Sequence, residues 1–522
     1  MTRHTPVPVR AARRRPAGLA VALALAIAAV AMSALSAADG VGLVDLVRAG
    51  DVPAARAWIA SHPRDIDRPA PDGSTALHWA AQGGHAALVT MLLDAGANAN
   101  ATSRLGVPPL LPAVVRGDAA ITSALLKAGA KADVRLAGGL TLLMLAARTG
   151  DPATLGVLLE RGADPNATDP TMGETALMWA AAENHADAVR VLVAAGAGVN
   201  TRSATMAFSR DKFGDGRSAR FTVLPRGEWT PLMYAVRQDA TEAVRALAVA
   251  GANLNATDPD GTTALVLAVI NAHYDLAATL LDLGADPNVG DSTGMTPLYA
   301  AVDMHTLDET PGRPAPVPSG QMGALDLMER LLARGARPDP ALLGPILERV
   351  HNNPDGGLGA GATPLMRAAR KGDLDAMRVL LAHGASVDAR TARGTTALMY
   401  LAGAGGQIRF AEYDTHRATD AEFVEGLKLL IASGAAIDAV DGSGQTALHV
   451  AVTSRGLPVV AYLLERGARP DVQDAQGRTP LDVALGAGGR ARGGAAPAVR
   501  EDAASLLRRY LGPASGAPVS QP

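Results

Sequence analysis

Thr75-Ala76-Leu77-His78-Trp79-Ala80-Ala81 opens a unit that closes on Gly96-Ala97-Asn98-Ala99-Asn100, and the unit returns along the chain. A Thr-Ala/Pro-Leu triplet starts at Thr75, Thr175, Thr230, Thr263, Thr296, Thr363, Thr396, Thr446 and Thr479, with degenerate copies at Pro108 and Thr141. Seven of the ten steps between them are 33 or 34 residues. The others are 55 and 50, one period plus a loop, and 67, which holds long non-repeat material. Gly-Ala keeps the same phase from Gly96 to Gly467. A fixed period of this length marks a stacked array, not a set of independent domains.

The local chemistry says what each unit is. Between triplet and Gly-Ala the apolar spacing is helical, as in Leu88, Val89, Met91, Leu92 and Leu93. Each unit therefore reads as turn, short helix, turn, longer helix. The Thr caps the first helix, and Pro one position later, as in Thr230-Pro231, suits a helix start. Paired alanines such as Ala80-Ala81 and Ala146-Ala147 let helices approach closely. Gly84, Gly117, Gly150 and Gly372, with Asn184 as the Asn version, suit a left-handed residue that ends this helix. Asp118, Asp151 and Asp373 then cap the second helix, and Asp258-Pro259-Asp260-Gly261 forms a connecting turn. One such unit cannot bury its own apolar face and must stack on neighbours.

Composition agrees. The 522 residues are 48% hydrophobic but only 3% aromatic, so the core is built from small and aliphatic side chains. Cysteine is absent, which excludes disulfides, thiolate metal sites and a Cys nucleophile. The net charge of −3 argues against nucleic acid as a partner. The excess of Arg over Lys is read as the codon bias of a GC-rich bacterium.

These residues carry a resemblance. Thr75–Ala81, Thr446-Ala447-Leu448-His449, Gly96–Asn100 and Gly162-Ala163-Asp164-Pro165-Asn166 look like ankyrin repeats, over residues 40–511 with insertions. The resemblance implies an all-α solenoid of helix pairs with projecting β-turn fingers, which serves as a protein-binding scaffold. About twelve units are expected, counting both caps, with Leu43–Ala60 as the N-terminal one. At helix separations of ~10 Å the stack runs to roughly 110 Å. The match is weakest at 102–116, where Pro108, Pro109 and Pro112 interrupt it, and it fails at 338–360.

Residues 1–38 stand outside the fold. Arg3, Arg10, Arg13, Arg14 and Arg15 precede an apolar run from Leu19 to Leu35, and Ser36-Ala37-Ala38 supplies small residues for cleavage. That is the layout of a secretory signal peptide cut after Ala37 or Ala38, with an uncleaved signal anchor as the rival. The expectation is a periplasmic or secreted protein, with no membrane segment after cleavage. Residues 512–522 are read as a disordered tail.

Insertions fall at 202–227, 304–322, 338–360, 403–422 and 486–500. The first holds Arg202, Arg210, Lys212, Arg217, Arg220 and Arg226 against Asp211 and Asp215, with Phe208, Phe213 and Phe221. It reads either as a basic, aromatic finger that grips an acidic partner surface, or as a hairpin whose Phe residues pack back on their own repeat. Segment 338–360 is expected to include a helix over Leu342–Val350. His305, Asp308, Glu309, Glu412, Asp414, His416 and Asp420 are metal-ligand types at short spacing, but flexible loops would not fix their geometry; solvated loops are the reading. His78 and His449 are read as bonding turn backbone, and His85, His185 and His273 as structural. No hydrolase, zincin or phosphate-loop motif is present.

Trp79, Trp179, Tyr234, Tyr299 and Tyr400 are read as one row, each following the histidine position. In the resembled fold that register faces the concave side. The row is either half-buried structure or a set of anchors for a bound chain. The sequence thus points to a non-enzymatic, monomeric scaffold that needs neither cofactor nor metal and binds another protein. Its contacts would be the aromatic row together with Arg210, Lys212, Phe213, Arg217, Arg220 and Phe221. The alternatives are an effector acting on a foreign cell and a metal-dependent enzyme using insertion residues.

Overall fold

The computed structural model describes residues 42–136, 138–205, 227–305, 317–346, 358–404, 418–486 and 500–511. They form twelve consecutive helix pairs. The first helices are α1 (Leu43–Arg48), α3 (Ala76–Gly83), α5 (Leu110–Arg116), α7 (Leu142–Thr149), α9 (Ala176–Ala182) and α11 (Pro231–Arg237). They continue with α13 (Ala264–Ile270), α15 (Pro297–His305), α17 (Pro364–Lys371), α19 (Ala397–Leu401), α21 (Ala447–Ser454) and α23 (Pro480–Ala484). The second helices are α2 (Val52–Ser61), α4 (Ala86–Asp94), α6 (Ala119–Lys127), α8 (Pro152–Glu160), α10 (Ala186–Ala194) and α12 (Thr241–Val249). After them come α14 (Tyr274–Asp282), α16 (Ala324–Ala333), α18 (Leu374–Ala382), α20 (Asp420–Ala432), α22 (Leu457–Glu465) and α24 (Glu501–Leu511). Each first helix touches the first helices on either side, each second helix does the same in its own row, and the rows meet within each unit. The result is a two-layer solenoid.

The punctuation works as the residues suggest. Thr141, Thr175, Thr263, Thr363, Thr396, Thr446 and Thr479 accept the N–H three residues on and so cap the first helix. Gly84, Gly117, Gly150 and Gly372 end it at φ of +68° to +80°, and Asn184 adopts +61°. Asp118, Asp151 and Asp373 accept from Ile121, Thr154 and Ala376 and start the second helix. Between the rows lie Ala80, Ala81, Ala146 and Ala147, all inaccessible, with Leu88, Leu92, Leu155 and Leu158. The prolines near residue 110 shift one boundary without breaking the array. Pro108 and Pro109 precede α5, and Pro112 sits in its first turn, where no intrahelical N–H is required.

Two ladders tie unit to unit. In the first, the side-chain oxygen of Asn100, Asn166, Asn200 and Asn288 accepts a backbone N–H of the next unit at 2.8–3.0 Å. The amide nitrogen of the same Asn donates to that unit's Gly carbonyl, for Asn166 to Gly196 at 3.0 Å. The second runs through arginine. Arg135, Arg202 and Arg390, each six residues after a repeat Gly, donate to Thr168, Thr257 and Val440 of the following unit.

The insertions sit at two kinds of place. Those at 202–227 and 338–360 lie between a second helix and the next first helix. Those at 304–322, 403–422 and 486–500 lie within a unit; α20 begins at Asp420 and takes the last residues of the fourth. The helix expected from Leu342 does not start there: Leu342–Ile346 is non-helical. The Leu342 N–H donates to Ala362 and its carbonyl accepts from Gly361, so neither is available for an i to i+4 bond. Residues 1–38, 347–350 and 512–522 lie outside the described residues.

Candidate partner-binding face

The first-helix layer has one side turned away from the second helices. Counting from the triplet start, the residues one, two, three, five and six positions on are buried in most units. The fourth and seventh emerge on this side in the units of Thr75, Pro108, Thr175, Thr230, Thr446 and Thr479 and are buried in those of Thr263, Thr296, Thr363 and Thr396. Trp79, Trp179 and Tyr234 occupy the fourth position, and all three are half-buried. Tyr299 and Tyr400 do not join them. Tyr299 stands three residues after Thr296, in the histidine register, and is 1% exposed. Tyr400 has the right register but is 3% exposed. Neither offers ring surface to a partner, so the row contracts to three rings on the N-terminal half. Arg210, Lys212, Phe213, Arg217, Arg220 and Phe221 lie outside the described residues.

The neck of that insertion is described, and it is tied. Thr205 bridges Gly227 in antiparallel fashion, Ser203 donates its N–H to Trp229, and the Thr205 hydroxyl donates to Glu228 at 2.7 Å. Trp229, 5% exposed, meets Tyr234 edge to face with ring centroids 5.7 Å apart. The neck is thereby fixed beside the third ring of the row.

Arginines accompany these rings. The Arg48 guanidinium lies 3.6 Å over the Trp79 ring, Arg148 is 5.8 Å from Trp179, and Arg237 is 5.4 Å from Trp229. Such contacts contribute about 0.5–2 kcal/mol each and fix the rotamer of a long side chain. The signal was present in the sequence as a repeated spacing: Arg48 to Trp79 and Arg148 to Trp179 are both 31 residues. Burial, and then the neighbouring Glu174 charge, pushes the Tyr234 hydroxyl well above its ordinary range, so it stays a neutral donor. Burial likewise raises Glu174, and the Tyr234 hydroxyl partly offsets this.

The histidines are structural partners. His78 Nδ1 meets the Thr75 N–H at 3.0 Å while Nε2 meets the Val107 carbonyl at 2.8 Å. His449 repeats the pattern with Thr446 and Arg478. His185 reaches the Arg148 carbonyl and His273 the Ser319 hydroxyl. His305 lies 2.7 Å from Asp373, which itself caps α18. Among the described residues no three His, Asp or Glu side chains gather as a metal-holding group. Asp308, Glu309, Glu412, Asp414 and His416 lie outside those residues.

Fold and face together define a class: a helix-pair repeat solenoid carrying aromatic and cationic side chains on its first-helix side. The family model for ankyrin repeats (3 copies) matches residues 43–135, 110–203, 217–291, 320–413 and 415–492, more than half of the chain. The chain belongs to the ankyrin-repeat family. It is 51% identical over 67 residues to the neurogenic locus Notch protein of Drosophila melanogaster, covering 12% of this chain and 2% of that one. To the human SH3 and multiple ankyrin repeat domains protein 2 it is 44% identical over 71 residues, 13% of this chain and 4% of that one. To the mouse B-cell lymphoma 3 protein homolog it is 29% identical over 180 residues, 34% and 33% of the two chains. The chain thus spans at most a third of these relatives. Among solved structures, the human ASB11 ankyrin repeat domain is 28% identical, at a TM-score of 0.36, over 44% of this chain and 91% of that one.

Proposed function

We propose that this protein is an exported, non-enzymatic scaffold that binds another protein through its first-helix face and the 202–227 insertion. The half-exposed rings of Trp79, Trp179 and Tyr234, set in one register on a continuous stack, carry the reading. Large rings held by a rigid layer supply contact area at little entropic cost, which is what interface anchors do. Membership of a repeat family of interaction modules supports binding over catalysis. Export rests on the layout of residues 1–38, followed by a long repeat domain in which no described helix is long and apolar enough to cross a membrane.

Cross-linking capture from cell-envelope extract tests this. The intact protein should retain a partner that is lost by the Trp79→Ala, Trp179→Ala, Tyr234→Ala variant and weakened by deletion of 206–226. A partner held equally by all three proteins places the site elsewhere. Mass spectrometry of the recovered N-terminus tests export: a chain starting at Ala38 or Asp39 agrees with cleavage, and an intact Leu19–Leu35 run in the membrane fraction makes it an anchor.

A further inference from the structure

We propose that the first-helix face of units 1 to 6 takes an extended protein segment rich in aspartate and glutamate. The proposal rests on the scaffold reading above and adds the chemistry of the partner. The observation behind it is that three exposed arginines of this face are held without an acid. On the second helices several cations pair with acids one turn away, Arg190 with Asp187, Arg245 with Glu242, Arg378 with Asp375 and Lys428 with Glu425, while Arg56 and Lys127 do not among the described residues. On the first helices, Arg148 meets Glu183 and Arg367 meets Asp303, but Arg48, Arg116 and Arg237 have no carboxylate within salt-bridge distance among the described residues. Arg48 and Arg237 lie against rings instead, and Arg116 lies across Gly84 at the end of α3.

A guanidinium over an indole spends its flat face and keeps its in-plane N–H groups open. Those groups form the fork that matches a carboxylate, and the ring has already restricted the side chain, so less entropy is lost on binding. Several acids of this region have partners of their own. Glu183 faces Arg148 at 3.8 Å, and Asp169 accepts the N–H groups of Thr171, Met172 and Glu174. Asp239 lies 4.0 Å from His273, which burial holds below its ordinary range, and Glu174, half-buried beside Tyr234, feels the Arg237 charge from beyond salt-bridge distance. Five unit steps of ~10 Å separate Arg48 from Arg237, a span of roughly 50 Å. An extended segment of about fifteen residues covers it, and its carboxylates can reach successive arginines.

The test is fluorescence anisotropy with a labelled polyglutamate peptide, and a labelled polylysine peptide for comparison. The proteins are the full chain, the Arg48→Gln, Arg116→Gln, Arg237→Gln variant and the corresponding triple Lys variant. Circular dichroism checks that each keeps its helix content; exposed Arg→Gln changes are not expected to unfold it. Polyglutamate should bind the full chain, more weakly as salt rises, and roughly tenfold or more weakly to the Gln variant, with the Lys variant between. Equal binding to full chain and Gln variant, or tighter binding of polylysine, overturns the proposal. If polyglutamate fails to bind while partner capture still depends on Trp79, Trp179 and Tyr234, the acidic partner falls and the scaffold reading stands.

Discussion

His78 and His449 each close a turn and reach the next unit with one ring. Nδ1 accepts the Thr N–H, so Nε2 carries the proton that goes to the carbonyl of the following finger. A second proton would break the Thr bond in a buried site, and burial accordingly holds both histidines below their ordinary value near 6.5. Their contribution is complete above that value and is lost as pH falls through the lower folded-state value. Met fills the same register at Met144, Met178, Met233, Met366 and Met399, so His→Met is a replacement this fold already uses. Urea unfolding from about pH 7.5 to about pH 5 should show stability falling in the parent and falling less in the His78→Met, His449→Met variant. An equal decline would remove these histidines as the cause. His305 runs the other way, raised first by its bond to Asp373, so its contribution is present below 6.5 and lost as pH rises through the higher folded value. The Thr-to-His bond was legible because it spans three residues. The Asn100 bonds were not, because their partners lie about thirty residues away and only stacking brings them together.

At the scale of the helix, the glycines divide by what surrounds them. Gly150 ends α7 at φ +80°, and a Cβ there would fall 2.4 Å from the His185 ring. Gly96 ends α4 at φ +92°, but a Cβ there would meet nothing within 4 Å. Gly96→Ala should therefore cost only the left-handed penalty, ~1–2 kcal/mol. Gly150→Ala adds a clash with a ring wedged between units and should cost about twice as much. Thermal unfolding of the two variants decides it; equal losses would mean the ring moves aside freely. The repeat made these helix ends readable from spacing alone. Register was harder. Tyr299 belongs to the triplet of Thr296 at the third position, which faces the core, and in the units of Thr296 and Thr396 the fourth position is buried as well, as Ala300 and Tyr400 show, so register alone does not open a ring there. Leu342 misled for a related reason: an apolar stretch of that length suits a short helix as well as a finger. The pairing partners that decide between them, Gly361 and Ala362, lie beyond an insertion.

Among the described residues, each unit is held chiefly by its two neighbours. Even where 67 residues separate consecutive triplets, the chain keeps this rule. Arg367 reaches Asp303 at 2.6 Å and His305 reaches Asp373 at 2.7 Å, two ties that join α15 to the α17–α18 unit. Removing Asp303 alone would leave the buried Arg367 charge without this carboxylate, a costly loss, whereas replacing both by apolar side chains of similar volume should cost little. A stack of nearest-neighbour contacts has no global core to share damage, so stability is a sum of unit and interface contributions. Leu158 is inaccessible in α8, whose neighbours are α6, α7 and α10. Leu158→Ala should cost about 2–5 kcal/mol locally. In native-state hydrogen exchange the loss of protection should be largest in α5–α10, while α17–α24 keep theirs. A uniform loss along the chain would show that the stack unfolds as one body. A graded loss would mean that a partner gripping units 1 to 6 stabilises those units first and leaves the distant end of the solenoid almost unaware of it.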